Sequence, residues 1–190
     1  SSDNKPASTE LTGGAGFICS HVCAAFLEKG HEVVALDNLS SGRKENLDPR
    51  VRLVVQDIRA PETAAFIERE RPAVICHLAA QMDVRRSVED PRFDADTNIL
   101  GFLNVLEAAR KAQVKKVIFS STGGAIYGEQ DAFPATESHA TRPVSPYGVS
   151  KAAGELYLEY FRAQYGMSCV ALRYANVYGP RQNPHGEAGV

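Results

Sequence analysis

Short apolar runs alternate with amphipathic stretches along most of the chain. The runs are apolar at successive positions, which is typical of strands whose two faces are both buried. They cover residues 31–37, 52–57, 73–80, 115–122 and 168–177. Strands of this kind, separated by helices, predict a parallel sheet covered by helices on both faces, which is the doubly wound α/β fold.

The stretches between these runs have the periodicity of helices. The predicted helices cover 17–29, a stretch that starts near Pro61, 91–113 and 146–165. Ser145 is expected to cap the last of them, with Pro146 at its first helical position.

Residues 1–11 depart from this pattern. Pro6 lacks an amide donor, and Glu10 stands where a buried strand carries an apolar side chain. Burial of Glu10 between two helical layers would require its carboxylate to be neutralised. We therefore expect the first strand to be poor or absent and residues 1–8 to be loosely held.

Composition and charge narrow the class of protein. The chain has 190 residues, of which 44% are hydrophobic and 23% are charged, enough for one globular core. A net charge of -2 leaves no broad basic surface for nucleic acid. No apolar run is long enough for a membrane span, no secretory signal is visible, and the 4 cysteines are scattered, so we expect a cytoplasmic location.

The stretch TGGAGFIC, residues 12–19, is the first candidate for a functional site. Gly13 and Gly16 allow a close approach of the backbone, and the following helix offers free N–H groups to a phosphate. Asp37 ends the next predicted strand, where a carboxylate binds ribose hydroxyls and disfavours a 2′-phosphate. Together they predict a site for NAD; a plain turn and a solvated aspartate are the alternatives.

Other strand ends at the same edge carry weaker signals. Asp57 could contact an adenine or cap the following helix, and both interpretations remain open. Ala79, Ala80 and Gln81 are small residues that either adjoin a cofactor or simply pack the sheet.

Tyr147 and Lys151 form the candidate catalytic pair. They lie one helical turn apart, so the ammonium group can approach the phenol and favour its phenolate form. The pair then becomes a proton acceptor. Ser120, Ser121 and Thr122 end the preceding strand and could hold an alcohol, although a surface pair is the simpler alternative. The histidines and cysteines lack the spacing of a metal site; Cys19 and Cys23 are expected to be core residues.

The motifs TGGAGFI, DNLSSG, DIR, HLAA, NILG, FSST, YGVSK and LRYANVYGPRQNP occur in this order. Together they resemble the extended short-chain dehydrogenase/reductases, most closely the UDP-glucose 4-epimerase branch, from residue 12 to about 185. The resemblance implies a Rossmann domain that binds NAD and epimerises C4 of a UDP-sugar by transient hydride transfer.

The resemblance also implies roles for individual residues. Thr122, Tyr147 and Lys151 would be catalytic. The residues implied to bind NAD are Gly13, Gly16, Phe17, Ile18, Asp37, Asn38, Asp57, Ile58, Ala79, Ala80, Gln81, Asn98, Ser120, Tyr147 and Lys151. Those implied to bind the UDP-sugar are Ser121, Thr122, Tyr147 and Asn176.

The related 4,6-dehydratases carry an Asp-Glu pair after the strand-end threonine, whereas Gly123 and Gly124 follow Thr122 here. This difference favours epimerisation. Another sugar-nucleotide epimerase or reductase, and a non-catalytic nucleotide-binding or dimerisation module, remain the alternatives. The family pairs its subunits through the helices that match 91–113 and 146–165, which implies a homodimer.

The chain departs from the family at Cys19 and at both of its ends. Cys19 replaces the third glycine of the loop, and its side chain is expected to crowd the helix against the strand. We assign 1–11 as an atypical N-terminal segment, 12–178 as the NAD-binding domain and 179–190 as the start of a missing substrate-binding portion. The fold thus looks truncated at both ends, and we expect little or no turnover from the chain as it stands.

Overall fold

One parallel sheet of 6 strands forms the centre of the protein in a computed structural model, which describes residues 7–183. The strand order is β3-β2-β1-β4-β5-β6. The strands are β1 (Ser8–Thr12), β2 (Glu32–Asp37), β3 (Arg52–Val55), β4 (Val74–His77), β5 (Lys116–Thr122) and β6 (Cys169–Tyr174). The predicted doubly wound fold is confirmed.

Helices connect these strands. They are α1 (Phe17–Glu28), α2 (Pro61–Glu70), α3 (Val84–Glu89), α4 (Pro91–Ala95), α5 (Gly101–Lys111), α6 (Gly123–Ile126) and α7 (Pro146–Tyr165). The prediction of one regular helix over 91–113 needs correction, because a π-helical segment, Asp96–Leu100, lies between α4 and α5. The short helix α3 was not predicted.

Apolar side chains are buried on both faces of the sheet. Because side chains alternate along a strand, Val33 and Ala35 of β2 pack in the cluster beside α1, whereas Leu36 packs in the cluster beneath α2 and α5. Ile75 and Cys76 of β4 divide between the two clusters in the same way. The sheet therefore holds α1 on one side and α2, α5 and α7 on the other.

The prediction that the first strand is poor or absent is wrong. Residues Ser8–Thr12 form β1, which pairs in parallel with β2 on one side and β4 on the other. Backbone pairing on both sides and the buried side chain of Leu11 outweigh the weak local sequence. Residues 1–6 of the segment predicted to be loose lie outside the described residues.

Glu10 is buried in the middle of this central strand. Its side chain is 1% exposed, lies in register with Val34 and Ile75, and has no hydrogen-bond partner for either carboxyl oxygen among the described residues. Burial raises its pKa to about 8; the charge of Glu70 acts in the same direction and that of Arg52 opposes it. The strand thus accommodates the carboxyl group by keeping it protonated near neutral pH.

This protonation predicts a pH-dependent stability. Between its usual pKa of 4.5 and a pKa of about 8, the folded chain keeps a proton that the unfolded chain has lost. Glu10 should therefore lower the free energy of unfolding by about 1.4 kcal/mol for each pH unit across this window. Below about pH 6.5 the buried neutral His77 acts in the opposite direction, so the net fall should be measured between pH 6.5 and 8. The substitution Glu10→Leu should remove this slope and raise the free energy of unfolding, as measured by urea unfolding at several pH values.

The exposed Glu32 at the start of β2 provides the control. Glu32→Leu should keep the slope of the unmodified chain. Equal slopes in the Glu10→Leu and unmodified chains would contradict a protonated Glu10.

Candidate active site

The carboxyl ends of the parallel strands bring the candidate residues to one edge of the sheet. The strands β2 and β3 lie to one side of β1, and β4 to β6 lie to the other. Ligands bind at such a reversal of strand order in doubly wound sheets. Gly13, Asp37, Ala79 and Thr122 all follow or end strands at this edge.

The glycine-rich loop passes closely between β2 and β4. Gly13 has a φ of 73°, and its N–H donates to the carbonyl of Leu36 at 2.7 Å. A Cβ atom at Gly13 would lie 2.8 Å from the backbone nitrogen of Ala79, and one at Gly14 would lie 2.3 Å from Cβ of Ala35. Only glycine fits at either position.

Helix α1 begins directly after this loop. Gly16 is its N-cap, and within residues 7–183 no side chain caps the helix and no acidic residue stands in its first turn. The N–H groups of Phe17 and Ile18 and the positive end of the helix dipole thus face the sheet edge, a suitable environment for a phosphate.

Cys19 fits in the place of the third glycine. Its side chain is 2% exposed, and Sγ lies 3.7 Å from the carbonyl oxygen of Thr12 as a weak donor. Burial raises the pKa of this thiol, so it stays neutral. The thiol is therefore packed between α1 and the end of β1.

Asp37 is fixed at the end of β2. Its Oδ2 accepts from the N–H of Ala15 at 3.0 Å and its Oδ1 from the N–H of Leu39 at 2.7 Å. A Cβ atom at Gly42 would lie 2.8 Å from Oδ2, so a glycine is needed there for the carboxylate to be held. Asp37 is only 7% exposed and lies against the loop that it anchors.

Asp57 belongs to a polar cluster beside this loop. Nδ2 of Asn38 donates to Oδ2 of Asp57 at 3.0 Å, and Nε of Arg59 donates to its Oδ1 at 2.9 Å. The guanidinium group of Arg59 holds the pKa of Asp57 well below its usual range. Oδ1 of Asp57 also accepts from the N–H of Arg59, two residues further along the chain. Asp57 therefore has a structural role in this turn, and this does not exclude contact with an adenine. The side chain of Ile58 is buried, and a Cβ atom at Gly101 would contact it.

The π-helical segment positions Asn98 against the chain after β4. The Nδ2 group of Asn98 donates to the carbonyl of Gln81 at 2.8 Å, and its Oδ1 accepts from the N–H of Gln81 at 2.8 Å. The N–H of Ala79 donates to Oγ1 of Thr12 at 3.3 Å, which ties the ends of β4 and β1 together. The half-buried Ala79 and Ala80 thus form part of the wall of the edge.

Thr122 and Asn176 face a common space at the ends of β5 and β6. A Cβ atom at Gly124 would lie 3.9 Å from Oγ1 of Thr122 and 4.0 Å from Oδ1 of Asn176. Thr122 also caps α6, because its Oγ1 accepts from the N–H of Ala125 at 3.2 Å. The hydroxyl of Ser121, by contrast, is buried and donates to Oε1 of Glu155 at 2.6 Å, so it is already engaged with α7.

The start of α7 carries Tyr147 and Lys151 and lies against α6 and the end of β5. Oγ of Ser145 accepts from the N–H of Gly148 at 3.1 Å, which confirms the predicted cap. A Cβ atom at Gly148 would lie 2.6 Å from the carbonyl oxygen of Ala125, so the helix rests directly on α6. Nζ of Lys151 lies 5.8 Å from the centre of the Tyr147 ring.

Lys151 is a buried amine. It is 4% exposed, and Nζ donates to the carbonyl oxygen of Ser120 at 2.8 Å. Burial lowers its pKa to about 8, and the charge of Asp94 acts in the opposite direction. Burial also lowers the pKa of the neighbouring His77 to about 3, so at neutral pH the amine is charged and the imidazole is not.

Sequence reasoning missed several polar residues of this region. Arg173 of β6 donates from Nη2 to Oε2 of Glu155 at 2.6 Å, and from Nη1 to the hydroxyl of Tyr127 at 3.0 Å. Glu155 follows Lys151 by one helical turn, and an arginine within an apolar run was a visible signal for a buried ion pair. Asp94 gave no local signal, because its partners come from distant parts of the sequence.

Residues 7–183 contain neither a candidate metal site nor a helix that could span a membrane. No group of three or more histidine, cysteine, aspartate or glutamate side chains there could hold a metal ion. None of the helices in this range is both long enough and apolar enough to cross a membrane. The four cysteines carry free thiols.

The sequence is similar to that of a known protein family and of named relatives. Residues 10–190 match the family described as the NAD dependent epimerase/dehydratase family. The UDP-glucose 4-epimerase of Mycolicibacterium smegmatis is 48% identical over 187 residues, which cover 96% of this chain and 60% of that protein.

Solved structures agree with the sequence match. The UDP-glucose 4-epimerase of Thermus thermophilus, in complex with NAD, is 50% identical with a TM-score of 0.92, covering 96% of this chain and 59% of that one. That of Thermotoga maritima, with UDP-glucose, is also 50% identical, with a TM-score of 0.93 and coverage of 96% and 60%. This chain thus spans about 60% of the length of the relatives it matches. With a family match from residue 10 to residue 190, the chain belongs to the NAD dependent epimerase/dehydratase family.

Proposed function

We propose that the chain binds NAD along the carboxyl edge of its sheet and acts in the epimerisation of a UDP-sugar at C4. The observation that carries this proposal is the buried Lys151 beside Tyr147, on a helix that rests against the end of β5. The relatives named UDP-glucose 4-epimerases, one solved with NAD and one with UDP-glucose, support the choice of cofactor and sugar.

The described residues fit NAD. The loop at Gly13 and Gly16 packs its backbone against the chain more closely than side chains would allow, and the start of α1 offers N–H groups to the pyrophosphate. Asp37 would hold the adenosine ribose, and the Asn38–Asp57 cluster lies where the adenine would bind. We assign the nicotinamide end to the region of Ser120 and Lys151.

The chemistry of the candidate groups is proton transfer. Bound NAD would supply the hydride acceptor and donor for C4 of the sugar. Thr122 would hold the 4-hydroxyl group, and the Tyr147 phenolate would take its proton and later give it back. The ammonium group of Lys151 would favour the phenolate.

Epimerisation is favoured over dehydration by the residues after Thr122. Gly123 and Gly124 begin α6 there, and neither supplies the acid and base that removal of water requires. Asn176, exposed beside Thr122, would contact the UDP-sugar. Residues 179–190 as the start of a substrate-binding portion remain a prediction.

We further propose that two copies pair through the helices that match 91–113 and 146–165. On α7, Val149, Leu156 and Tyr160 lie on one stripe and are 51%, 72% and 51% exposed. Leu100, 59% exposed, adds an apolar side chain from the π-helical segment. An apolar groove of about 530 Å³ lies between the segment 91–99 and the start of α7. Unpartnered apolar faces of this kind mark interfaces.

Titration with NAD tests the cofactor site. The substitution Asp37→Ala should raise the dissociation constant of NAD at least about tenfold, because hydrogen bonds to a charged group contribute roughly 1.5–3 kcal/mol. Asp48→Ala, at the turn that leads into the amino end of β3, is the control and should leave the affinity unchanged. Absence of NAD binding by the unmodified chain would contradict the proposed function.

Conversion of UDP-galactose into UDP-glucose tests the proton acceptor. Tyr147→Phe should lower the rate at least about 100-fold while NAD still binds, since the phenol oxygen is the group that accepts the proton. Tyr165→Phe, at the end of the same helix, should keep the rate. An unchanged rate in Tyr147→Phe would refute the assignment.

Sedimentation tests the homodimer. Leu156→Glu should convert the dimer into monomers, because it places a charge in the centre of the apolar stripe. Val55→Glu, on the opposite edge strand and 59% exposed, should remain dimeric. A monomeric unmodified chain would contradict the interface, whereas a dimer that fails to bind NAD would favour the non-catalytic module.

A further inference from the structure

Asp94 is a buried carboxylate that the proposed chemistry does not use. It lies on α4, has an exposure of 0%, and accepts hydrogen bonds from three other segments of the chain. Oδ2 accepts from Oγ of Ser150 at 2.6 Å, while Oδ1 accepts from Nδ2 of Asn98 at 3.0 Å and from Nε2 of Gln81 at 3.2 Å. Such a short bond and full burial indicate a tightly held group.

Two of the donors, Asn98 and Gln81, belong to the candidate site, and the third adjoins it. Asn98 clamps the backbone of Gln81 at the end of β4 through two hydrogen bonds of 2.8 Å. Ser150 directly precedes Lys151 on α7 and is 3% exposed. Asp94 thus links the wall of the edge beside β4 to the helix that carries Tyr147 and Lys151.

The charges in this region also need to balance. All three donors to Asp94 are neutral, and a buried carboxylate is costly without a nearby positive charge. Lys151, 4% exposed, is a buried cation next to one of these donors. Two further titratable groups interact with Lys151: Tyr147 on its own helix and His77 on β4. Burial keeps His77 neutral near neutral pH.

We propose that Asp94 is the positioning residue of the Tyr147–Lys151 pair: it joins α7 to the Gln81–Asn98 clamp and supplies the negative charge that keeps the buried amine protonated. Its catalytic significance rests on the proposed function, but its effect on Lys151 is a property of the unliganded chain. The opposing influence of Asp94 on the lowered pKa of Lys151 agrees with this arrangement.

The substitution Asp94→Asn separates charge from shape. The amide oxygen of an asparagine can accept from Asn98 and Gln81, and its NH₂ group can donate to the hydroxyl of Ser150, which is able to accept. The hydrogen bonds are then retained and only the charge is lost. Asp96→Asn is the matched control, because Asp96 stands two positions along, is 49% exposed at its side chain and pairs with Arg59.

The pKa of Lys151 can be measured without substrate or cofactor, by nuclear magnetic resonance of chains labelled with ¹³C at the lysine Cε. Comparison with Lys151→Met assigns the signal of Lys151. In Asp94→Asn the pKa of Lys151 should fall by about one pH unit, because a neighbouring opposite charge is removed, and Asp96→Asn should titrate like the unmodified chain. A Lys151 that titrates alike in Asp94→Asn and the unmodified chain overturns the proposal.

Asp94→Asn can be combined with the stabilising substitution Glu10→Leu if it folds poorly alone. If it still fails to fold, Ser150→Ala provides a second test. Ser150→Ala removes the bond that holds the carboxylate against α7, so the pKa of Lys151 should fall in the same direction but less. An unchanged pKa of Lys151 in Ser150→Ala would then overturn the proposal. Failure of NAD to bind would refute the proposed function, yet the lysine titration would still decide the role of Asp94.

Discussion

The pairing of β1 with both β2 and β4 is the constraint on which the rest of the structure depends. This strand stands where the order of the sheet reverses, so the loop after it opens between two diverging connections. The close contacts of Gly13 with Ala79 and of Gly14 with Ala35 exist only because these strands are adjacent. The position of α1 and the anchoring of Asp37 to Ala15 follow from the same pairing.

A second set of contacts fixes the other half of the edge. Helix α7 lies against α6 at Gly148, against β5 at Lys151 and Gly154, and against β6 through the Glu155–Arg173 ion pair. These contacts come from successive turns of one helix face, so the helix has little freedom to slide. The distance between the phenol of Tyr147 and the end of β5 is thereby set by packing on several neighbours, as a preorganised site requires.

Much of the fold was predictable from the apolar pattern. The strands from β2 to β6 and the cap at Ser145 were predicted because their local sequence agrees with their final environment. The strand β1 was not, since Glu10 opposes burial locally and only the pairing on both sides overrides it. The π-helical segment was missed for a similar reason: its signal lies in the two bonds between Asn98 and Gln81, which are distant in sequence.

The protonated Glu10 couples the folding reaction to the binding of a proton. Near neutral pH the unfolded chain carries this carboxylate ionised, and the native chain carries it neutral, so folding takes up a proton from the solution. The heat released on folding then includes the heat of ionisation of the buffer. Calorimetric enthalpies of this protein will therefore differ between phosphate and amine buffers even when its native contacts are identical.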